Sequence, residues 1–536
     1  MHSKYQNLSL SLFSALLLSL SWYWNLSICL FFAFVPLLLL EDKLSQQFGL
    51  AKYKLKLFLY SYLTFLIWNI ATTWWVVYAS FGGGSVAFIL NALLMSIVFI
   101  FYSNLKTRLQ KPWAIWLLVP IWIAWEHIHT IWDLSWTWLT LGNAFAFHHN
   151  WIQWYEFTGT SGGTAWALLV NLFIFQILKE YRSLTFLSKP ILNIAALIIF
   201  PILVSYSILF IRSSETNTSK PLKTLIVQPN IDPYNVKFFL DYQTQFNNVL
   251  TQIRGKVSSE TDYLVLPETF ITEDINEATI QHDFIIHLFR DSLLAFYPNL
   301  KIITGANTYV FYEDERLITS TAREDTRIGK HYDVYNSAIY ISKTSIQIYH
   351  KSKLVPGVER KPFPALLKPL ERLAINMGGT MGSLGIQNER AVFKDLNEEG
   401  GIAPVICYES VYADFLTEYS RKGAGLIFII TNDGWWDDTP GYKQHLNYAR
   451  MRAIENRRSI ARCANTGVSC FIDEFGTIYD ATNWWEPALI EKDLKPNLHL
   501  TFFSRYGDLI SYCSVFITVI LIAWGLLLRF KPQEKP

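Results

Sequence analysis

Three residue types that together can run acyl chemistry stand in order along the chain: Glu268 closing DYLVLPE, Lys351 within YHKSKLVP, and Cys407 within APVICYE. A thiol attacks an acyl carbon as its thiolate, so it needs a base to take its proton and a cation to hold the thiolate and the later oxyanion. One Glu and one Lys meet both needs. Each residue alone has a plainer reading, because a cysteine at the end of an apolar strand is commonly packing, and an isolated Glu or Lys in a loop is commonly solvated surface. Their combination, with Asn432 and Asp433 after a third apolar run, GLIFIITND, carries the inference, since strand ends are where loop-borne sites gather.

Those residues need a scaffold of strands. The β-branched runs TLIVQPN, DYLVLPE, KIITGANTY, NSAIYIS, APVICYE, GLIFIITND and VSCFID alternate with helical stretches at 239–256, 281–297, 410–421 and 443–462. The alternation predicts an α/β domain of layered sheets and helices over residues 220–500.

The rest of the chain asks for a different solvent. With 51% hydrophobic and only 17% charged residues, the sequence belongs with membrane proteins, and Met1 to Arg212 is almost continuously apolar. Runs near spanning length fall at 8–22, 25–41, 57–79, 85–105, 113–131, 163–178, 190–212 and 509–530. They predict a helical bundle of about seven spans over 1–212 and one C-terminal transmembrane helix within 505–536. The weak basic start (His2, Lys4) lacks a small-residue cleavage site before the next apolar run, so the first run reads as an anchor.

Connectors bearing Lys43, Lys52, Lys54 and Lys56, then Lys106, Arg108 and Lys111, then Lys179, Arg182 and Lys189 alternate with connectors free of Lys and Arg. With Arg529, Lys531 and Lys535 in the tail, the positive-inside rule puts both termini in the cytoplasm and the α/β domain outside. The connector 132–162, rich in Trp, Tyr, Phe and Gly, is expected to shape a lipid-facing entrance. A formal net charge of +2 argues against a nucleic-acid partner. Of five cysteines, Cys29 and Cys513 lie in apolar segments, and Cys407, Cys463 and Cys470 have neither zinc nor disulfide spacing, so no metal and no essential disulfide are expected.

The motifs LPE (266–268), YHKSKLVP (349–356) and ICYES (406–410) resemble, in the same order, the Glu, Lys and Cys motifs of the nitrilase superfamily. Within it, ICYE, KxxLVP with a following Glu, and NDxWW with HLxxARMRAIE, joined to an aromatic-rich multi-span N-terminus and one C-terminal span, resemble the apolipoprotein N-acyltransferases. That likeness extends to VQPNI (227–231), NDGWWDD (432–438), HLNYARMRAIENRR (445–458), NTGVS (465–469) and RYGD (505–508). Two departures stand out. The aromatic-Gly-Glu usual after LVP is here PGVER, which carries Glu359, and the tryptophan usual after VQxNI is here Phe238.

The resemblance implies an α-β-β-α sandwich joined to the bundle, in a bacterial inner membrane, working without a cofactor and as a monomer. It implies a ping-pong reaction: Cys407 takes an acyl chain from a phospholipid as a thioester and passes it to the α-amine of a diacylglyceryl-cysteine at a lipoprotein N-terminus. Glu268 would be general acid and base, and Lys351 with the Tyr408 N–H would hold the oxyanion. Glu359 and Glu409 would position Lys351 or the incoming amine, Trp435 and Trp436 would line the acyl channel or dip into the membrane interface, and Phe238 would be a supporting residue at the substrate site. Two rival readings are a membrane-anchored amidase using the same triad, and a non-catalytic lipid-binding or transport protein, for which Glu126 and His127 are the charged candidates within the spans.

Overall fold

The protein, seen here as a computed structural model, is described over residues 2–23, 26–47, 50–180, 188–215, 217–237, 239–360, 383–395 and 400–527. It folds as two compact units: Met1–Val77 with Phe81–Ser214 and Tyr506–Pro536, and Tyr78–Ser80 with Glu215–Arg505. Phe238, Arg182, Arg529, Lys531 and Lys535 lie outside the described residues.

In the first unit, six helices among the described residues are long and apolar enough to cross a membrane: Lys52–Thr73, Phe81–Leu109, Pro112–Ile131, Tyr155–Glu180, Pro190–Ser213 and Leu509–Leu526. The run at 8–22 lies in the helix His2–Leu20. The run at 25–41 is not one helix; it is a 3-10 turn, Ser27–Cys29, followed by the helices Leu30–Ala33 and Val35–Gln47. Pro36 has no N–H to continue the ladder, and Asn171 Oδ1 accepts from the freed amides of Phe34 and Val35 at 2.8 and 3.2 Å. The C-terminal helix packs beside Pro112–Ile131, with Trp113 stacked on Trp524 and the Thr518 hydroxyl donating to the Pro120 carbonyl at 3.2 Å.

The connector 132–162 is packed core in its first half, where Trp138, Leu141, Phe145 and Ala146 are buried. Glu126 makes it so. Its carboxylate accepts from the Leu141 N–H at 2.8 Å, the Thr164 hydroxyl at 2.7 Å and the Trp122 indole at 3.1 Å. Gly142 completes the approach, since a Cβ there would lie 2.1 Å from the Thr160 carbonyl oxygen. The other charged candidate, His127, sets its ring edge-on to Tyr512 at 5.4 Å. Two more buried carboxylates are also engaged: Glu41 with Lys106, Tyr53 and Ser103, and Glu156 with Arg212 at 3.3 Å. These are fixed hydrogen-bond staples of the kind that hold helices together in lipid.

The second unit is built on two sheets. The strands are β1 Leu222–Gln228, β2 Tyr263–Val265, β3 Ile271–Asn276, β4 Lys301–Phe311, β5 Arg323–Asp325, β6 Lys330–Ile341, β7 Ile346–His350, β8 Gly401–Ile406, β9 Ala424–Thr431, β10 Ile460–Ala464, β11 Cys470–Ile472, β12 Ile478–Tyr479 and β13 Ala488–Leu494. One sheet runs β13-β1-β2-β4-β6-β5, with β3 on β4 and β7 on β6; the other runs β12-β11-β10-β9-β8. Period-two alternation sorts the first sheet's side chains. Leu225, Val227, Leu264 and Ile302 pack with Tyr242, Phe246 and Val249 of the helix Tyr242–Ile253, while Tyr263 turns to the other face and meets Phe428 of β9 edge-on at 5.3 Å. Between the sheets the Cys463 thiol donates to the carbonyls of Val227 and Val265 at 3.3 and 3.4 Å.

The expected helices shift where chemistry intervenes. The helix expected at 443–462 spans Pro440–Asn456 and stops because Arg457 turns left-handed at φ 49°, after which Ile460–Ala464 is strand β10. The stretch 410–421 divides into a 3-10 turn, Cys407–Val411, and the helix Ala413–Arg421. The stretch 281–297 breaks where the Asp283 side chain accepts from the Ile285 N–H at 2.8 Å and caps the helix Phe284–Phe289.

Because the Cys463 thiol makes weak bonds in a tightly packed layer, Cys463→Ala is expected to cost about 1 kcal/mol of stability and to leave turnover intact. A thermal melt and a rate measurement on the same sample check both; a loss of turnover without a lowered melting point would contradict this reading.

Candidate active site

The three sequence-predicted reactive residues sit at three strand ends. Glu268 follows β2 through Leu266 and Pro267, and Thr269 after it turns left-handed at φ 47°. That turn presses on β4, where a Cβ at Gly305 would stand 2.4 Å from the Thr269 nitrogen and 2.6 Å from the Glu268 Cα, so only glycine fits. Lys351 leaves β7 directly, and its N–H donates to the Asn336 carbonyl of β6 at 2.8 Å. Cys407 ends β8 and is itself left-handed at φ 49°, the backbone state that turns a side chain sharply out of a strand.

Charge gathers around Lys351, which is 1% exposed. Its ammonium donates to Glu268 Oε1 at 3.0 Å and to Glu359 Oε1 at 2.8 Å. The Asn336 amide donates to the same two oxygens at 2.8 and 3.2 Å, and Glu359 Oε2 accepts from the Val355 N–H at 2.8 Å. Burial works against the charge on Lys351, but the carboxylates of Glu268 and Glu359 outweigh it and hold the ammonium protonated well beyond the usual lysine range. Burial also pushes the Cys407 thiol far up, with Glu268 adding to the rise and Lys351 opposing it. Burial thus favours the neutral thiol at Cys407.

A second buried cluster lies behind Cys407. Asp433 Oδ2 accepts from Arg462 at 2.7 Å, and its Oδ1 meets His445 Nδ1 at 3.1 Å and the Thr431 hydroxyl at 3.0 Å. His445 Nε2 reaches the Cys407 carbonyl at 3.2 Å and the Ser410 hydroxyl at 2.9 Å. Burial would raise the Asp433 carboxyl, yet Arg462 and His445 hold it ionised well below the usual carboxylate range. Gly467 must be glycine here, since a Cβ would lie 2.5 Å from Asp433 Oδ2.

Glu409 is fully buried and binds backbone. It accepts from the Ile406 N–H at 2.9 Å, the Ser352 N–H at 2.7 Å and the Tyr349 hydroxyl at 2.7 Å, tying the lysine loop to the cysteine turn. Of the two supporting acids named from sequence, Glu359 touches Lys351 and Glu409 fixes the loop that carries it. Tyr408 opens the turn after Cys407, its ring edge-on to Tyr412 at 5.2 Å. Asn432 is a brace, accepting from Asn465 and Thr466 at 3.3 and 3.4 Å. Trp435 packs edge-on to Tyr234 at 5.2 Å and Trp436 edge-on to His445 at 5.5 Å. Phe238 lies outside the described residues.

Asn336, His445, Arg462, Thr431 and Lys237 were not singled out from sequence. A polar residue inside the apolar run NSAIYIS, and a His and an Arg within otherwise buried segments, were the available signals.

The profile of the carbon-nitrogen hydrolases matches residues 226–499, which hold Glu268, Lys351 and Cys407. The chain belongs to the carbon-nitrogen hydrolase family. Ahead of this carbon-nitrogen hydrolase region, residues 14–173 match the profile of the apolipoprotein N-acyltransferase N-terminal domain. An apolipoprotein N-acyltransferase of Chlorobaculum tepidum is 29% identical over 96% of this chain and 95% of its own length, and one of Rickettsia prowazekii is 25% identical over 86% and 85%. A Saccharomyces cerevisiae member of the nitrilase superfamily, known as a crystal structure, aligns at 14% identity over 60% of this chain and 99% of its own, with a TM-score of 0.34.

Removing Arg462 strands the Asp433 carboxylate in the interior. Arg462→Met is expected to lower stability by about 3–5 kcal/mol, and Asp433→Asn in the same chain to restore a large part of it. Unfolding midpoints of the two single variants and the double variant check this; strictly additive losses would contradict the pairing.

Proposed function

We propose that this carbon-nitrogen hydrolase is an apolipoprotein N-acyltransferase, which carries a phospholipid acyl chain on Cys407 to the α-amine of a diacylglyceryl-cysteine. The observation that carries the proposal is the buried ammonium of Lys351 on Glu268, in the same site as the left-handed cysteine turn, in a chain that aligns end to end with proteins bearing that name.

Glu268 Oε1 is taken by Lys351 and Asn336, whereas Oε2 has no hydrogen bond among the described residues, so proton transfer runs through Oε2. Glu268 takes the thiol proton, the thiolate attacks the ester carbon, and Lys351 with the Tyr408 N–H holds the oxyanion. Collapse breaks the ester C–O bond, Glu268 returns the proton to the departing lysophospholipid oxygen, and a thioester remains. The lipoprotein amine then attacks the thioester, Glu268 accepts the amine proton, the C–S bond breaks, and the thiol is restored by that proton. No external oxidant, metal or nucleotide enters the balance. Glu359 and Asn336 keep Lys351 and Glu268 in register through both halves.

Both substrates are lipids, and drawing a chain out of the bilayer costs about 0.8 kcal/mol per methylene, so the site is brought to the membrane by its own spans. In this reading 1–212 is a bundle of about seven spans, 220–500 the catalytic domain and 505–536 a last span with its tail. The termini are cytoplasmic, the catalytic domain lies on the outer face of the inner membrane, and the enzyme works as a monomer. Trp435 flanks the acyl chain.

The test is transfer from phospholipid to a synthetic diacylated lipopeptide. Wild type is expected to N-acylate the peptide, Cys407→Ala to give none, and Glu268→Gln and Lys351→Met to lose roughly a thousandfold or more. Acylation by a folded Cys407→Ala, or wild-type hydrolysis of small amides with no lipopeptide product, would overturn the proposal, the latter in favour of an anchored amidase.

A further inference from the structure

Lys237 takes no part in the chemistry above, yet it is 1% exposed, which is rare for a lysine without a structural or functional reason. Its ammonium donates to the main-chain oxygen of Glu268 at 3.1 Å and to the Thr269 hydroxyl at 2.7 Å. Both acceptors belong to the one turn that aims the base. Thr269 is β-branched and sits at φ 47°, a conformation that branched side chains adopt only when the surroundings impose it. From the other side the turn is pressed by Gly305 of β4. At its own end Lys237 is anchored through its carbonyl, which accepts from Gln245 of the helix Tyr242–Ile253 at 2.8 Å. Gln245 also donates to the Leu240 carbonyl at 2.9 Å, so one side chain ties both Lys237 and Leu240 to this helix.

We infer that Lys237 is a positioning residue for the acyl transfer, clamping the strained Glu268–Thr269 turn so that the carboxylate of Glu268 faces the Cys407 thiol. This deepens the reading above and rests on its choice of Glu268 as the base. The clamp also links the base to the segment 232–237, whose Tyr234 hydroxyl donates to the Trp435 carbonyl at 2.9 Å, so that one lysine couples the aromatic residues beside the site to the orientation of the base. Burial lowers the ammonium to about 8, with the Glu268 carboxylate acting in the opposite direction, so the clamp loosens as pH rises through that value.

The clamp account separates from a purely electrostatic or structural one through Thr269. If Lys237 acts by holding a turn that threonine resists, glycine at 269 removes the need for it, because glycine takes a left-handed backbone freely. The experiment follows alkylation of Cys407 by iodoacetamide in the full-length protein, quantified on the peptide that carries Cys407 because Cys513 is exposed. In that reaction sulfur displaces iodide and Glu268 takes the thiol proton, with no lipid involved. Lys237→Met is expected to slow alkylation, and kcat for lipopeptide acylation, by roughly 10- to 100-fold with KM within about twofold, the scale expected for a misaimed catalytic group.

Adding Thr269→Gly to Lys237→Met is expected to restore both rates to within several-fold of wild type. A wild-type rate in Lys237→Met, or no restoration by glycine, would overturn the inference. Should Lys237→Met fail to fold, Thr269→Val, which removes the Thr269 hydroxyl that accepts from Lys237, is read in its place and is expected to slow alkylation in the same direction. Should the wild type alkylate normally but never transfer a lipid chain, the acyltransferase reading fails, while the alkylation rates of the variants still decide the role of Lys237.

Discussion

One ammonium, buried to 1% exposure, organises the catalytic unit. A charged lysine in the interior loses its hydration and persists only where carboxylates and hydrogen bonds replace it. Lys351 gets this from Glu268, Glu359 and the Asn336 amide that bridges them, three side chains from different loops and strands. Their convergence requires β6 and β7 to pair in the observed register, with Ser337 opposite His350, because Asn336 both holds the carboxylates and accepts the Lys351 N–H. In the proposed acyl transfer the same arrangement would supply a fixed cation near the thiol and a carboxylate with one oxygen already committed to orientation.

Cys407 depends on the other sheet in a parallel way. Cys407 holds a left-handed backbone that costs of order 1–3 kcal/mol, and such strain survives where the surroundings leave no alternative. Here they leave none. Glu409 grips the amide before the cysteine and the amide after Lys351, while the Asp433, His445 and Arg462 cluster holds the Cys407 carbonyl from behind. The two sheets are thus joined at the site by hydrogen bonds to main chain as well as by the packed layer in which Cys463 sits.

How much of this was legible in the sequence follows from what sequence patterns encode. The strand runs and the residues that end them are readable because a short β-branched apolar run and an abrupt polar residue are local signals, and Glu268 and Cys407 stand at such ends, whereas Lys351 follows β7, a strand that no such run announces. Asn336, His445 and Arg462 were not, because their importance lies in partners far away in the chain: His445 matters through Cys407, and Asn336 through Glu268 and Lys351. The helix expected to run through 462 ended early because a left-handed Arg457 is a tertiary decision with no glycine to announce it. In the apolar unit the run at 25–41 looked continuous, and Pro36 was the available sign of its break, repaired by the distant Asn171. Glu126, the charged candidate of the rival transport reading, accepts from three donors that hold the aromatic connector inward.

The central claim is that Cys407 carries the acyl chain, and intact-mass spectrometry of the purified protein with phospholipid and no acceptor tests it most directly. The account expects a mass increase of one acyl group that is discharged by hydroxylamine or by a diacylated lipopeptide and is absent from Cys407→Ala. An unmodified wild-type protein that nevertheless acylates the lipopeptide, or an adduct that persists in Cys407→Ala, would contradict it.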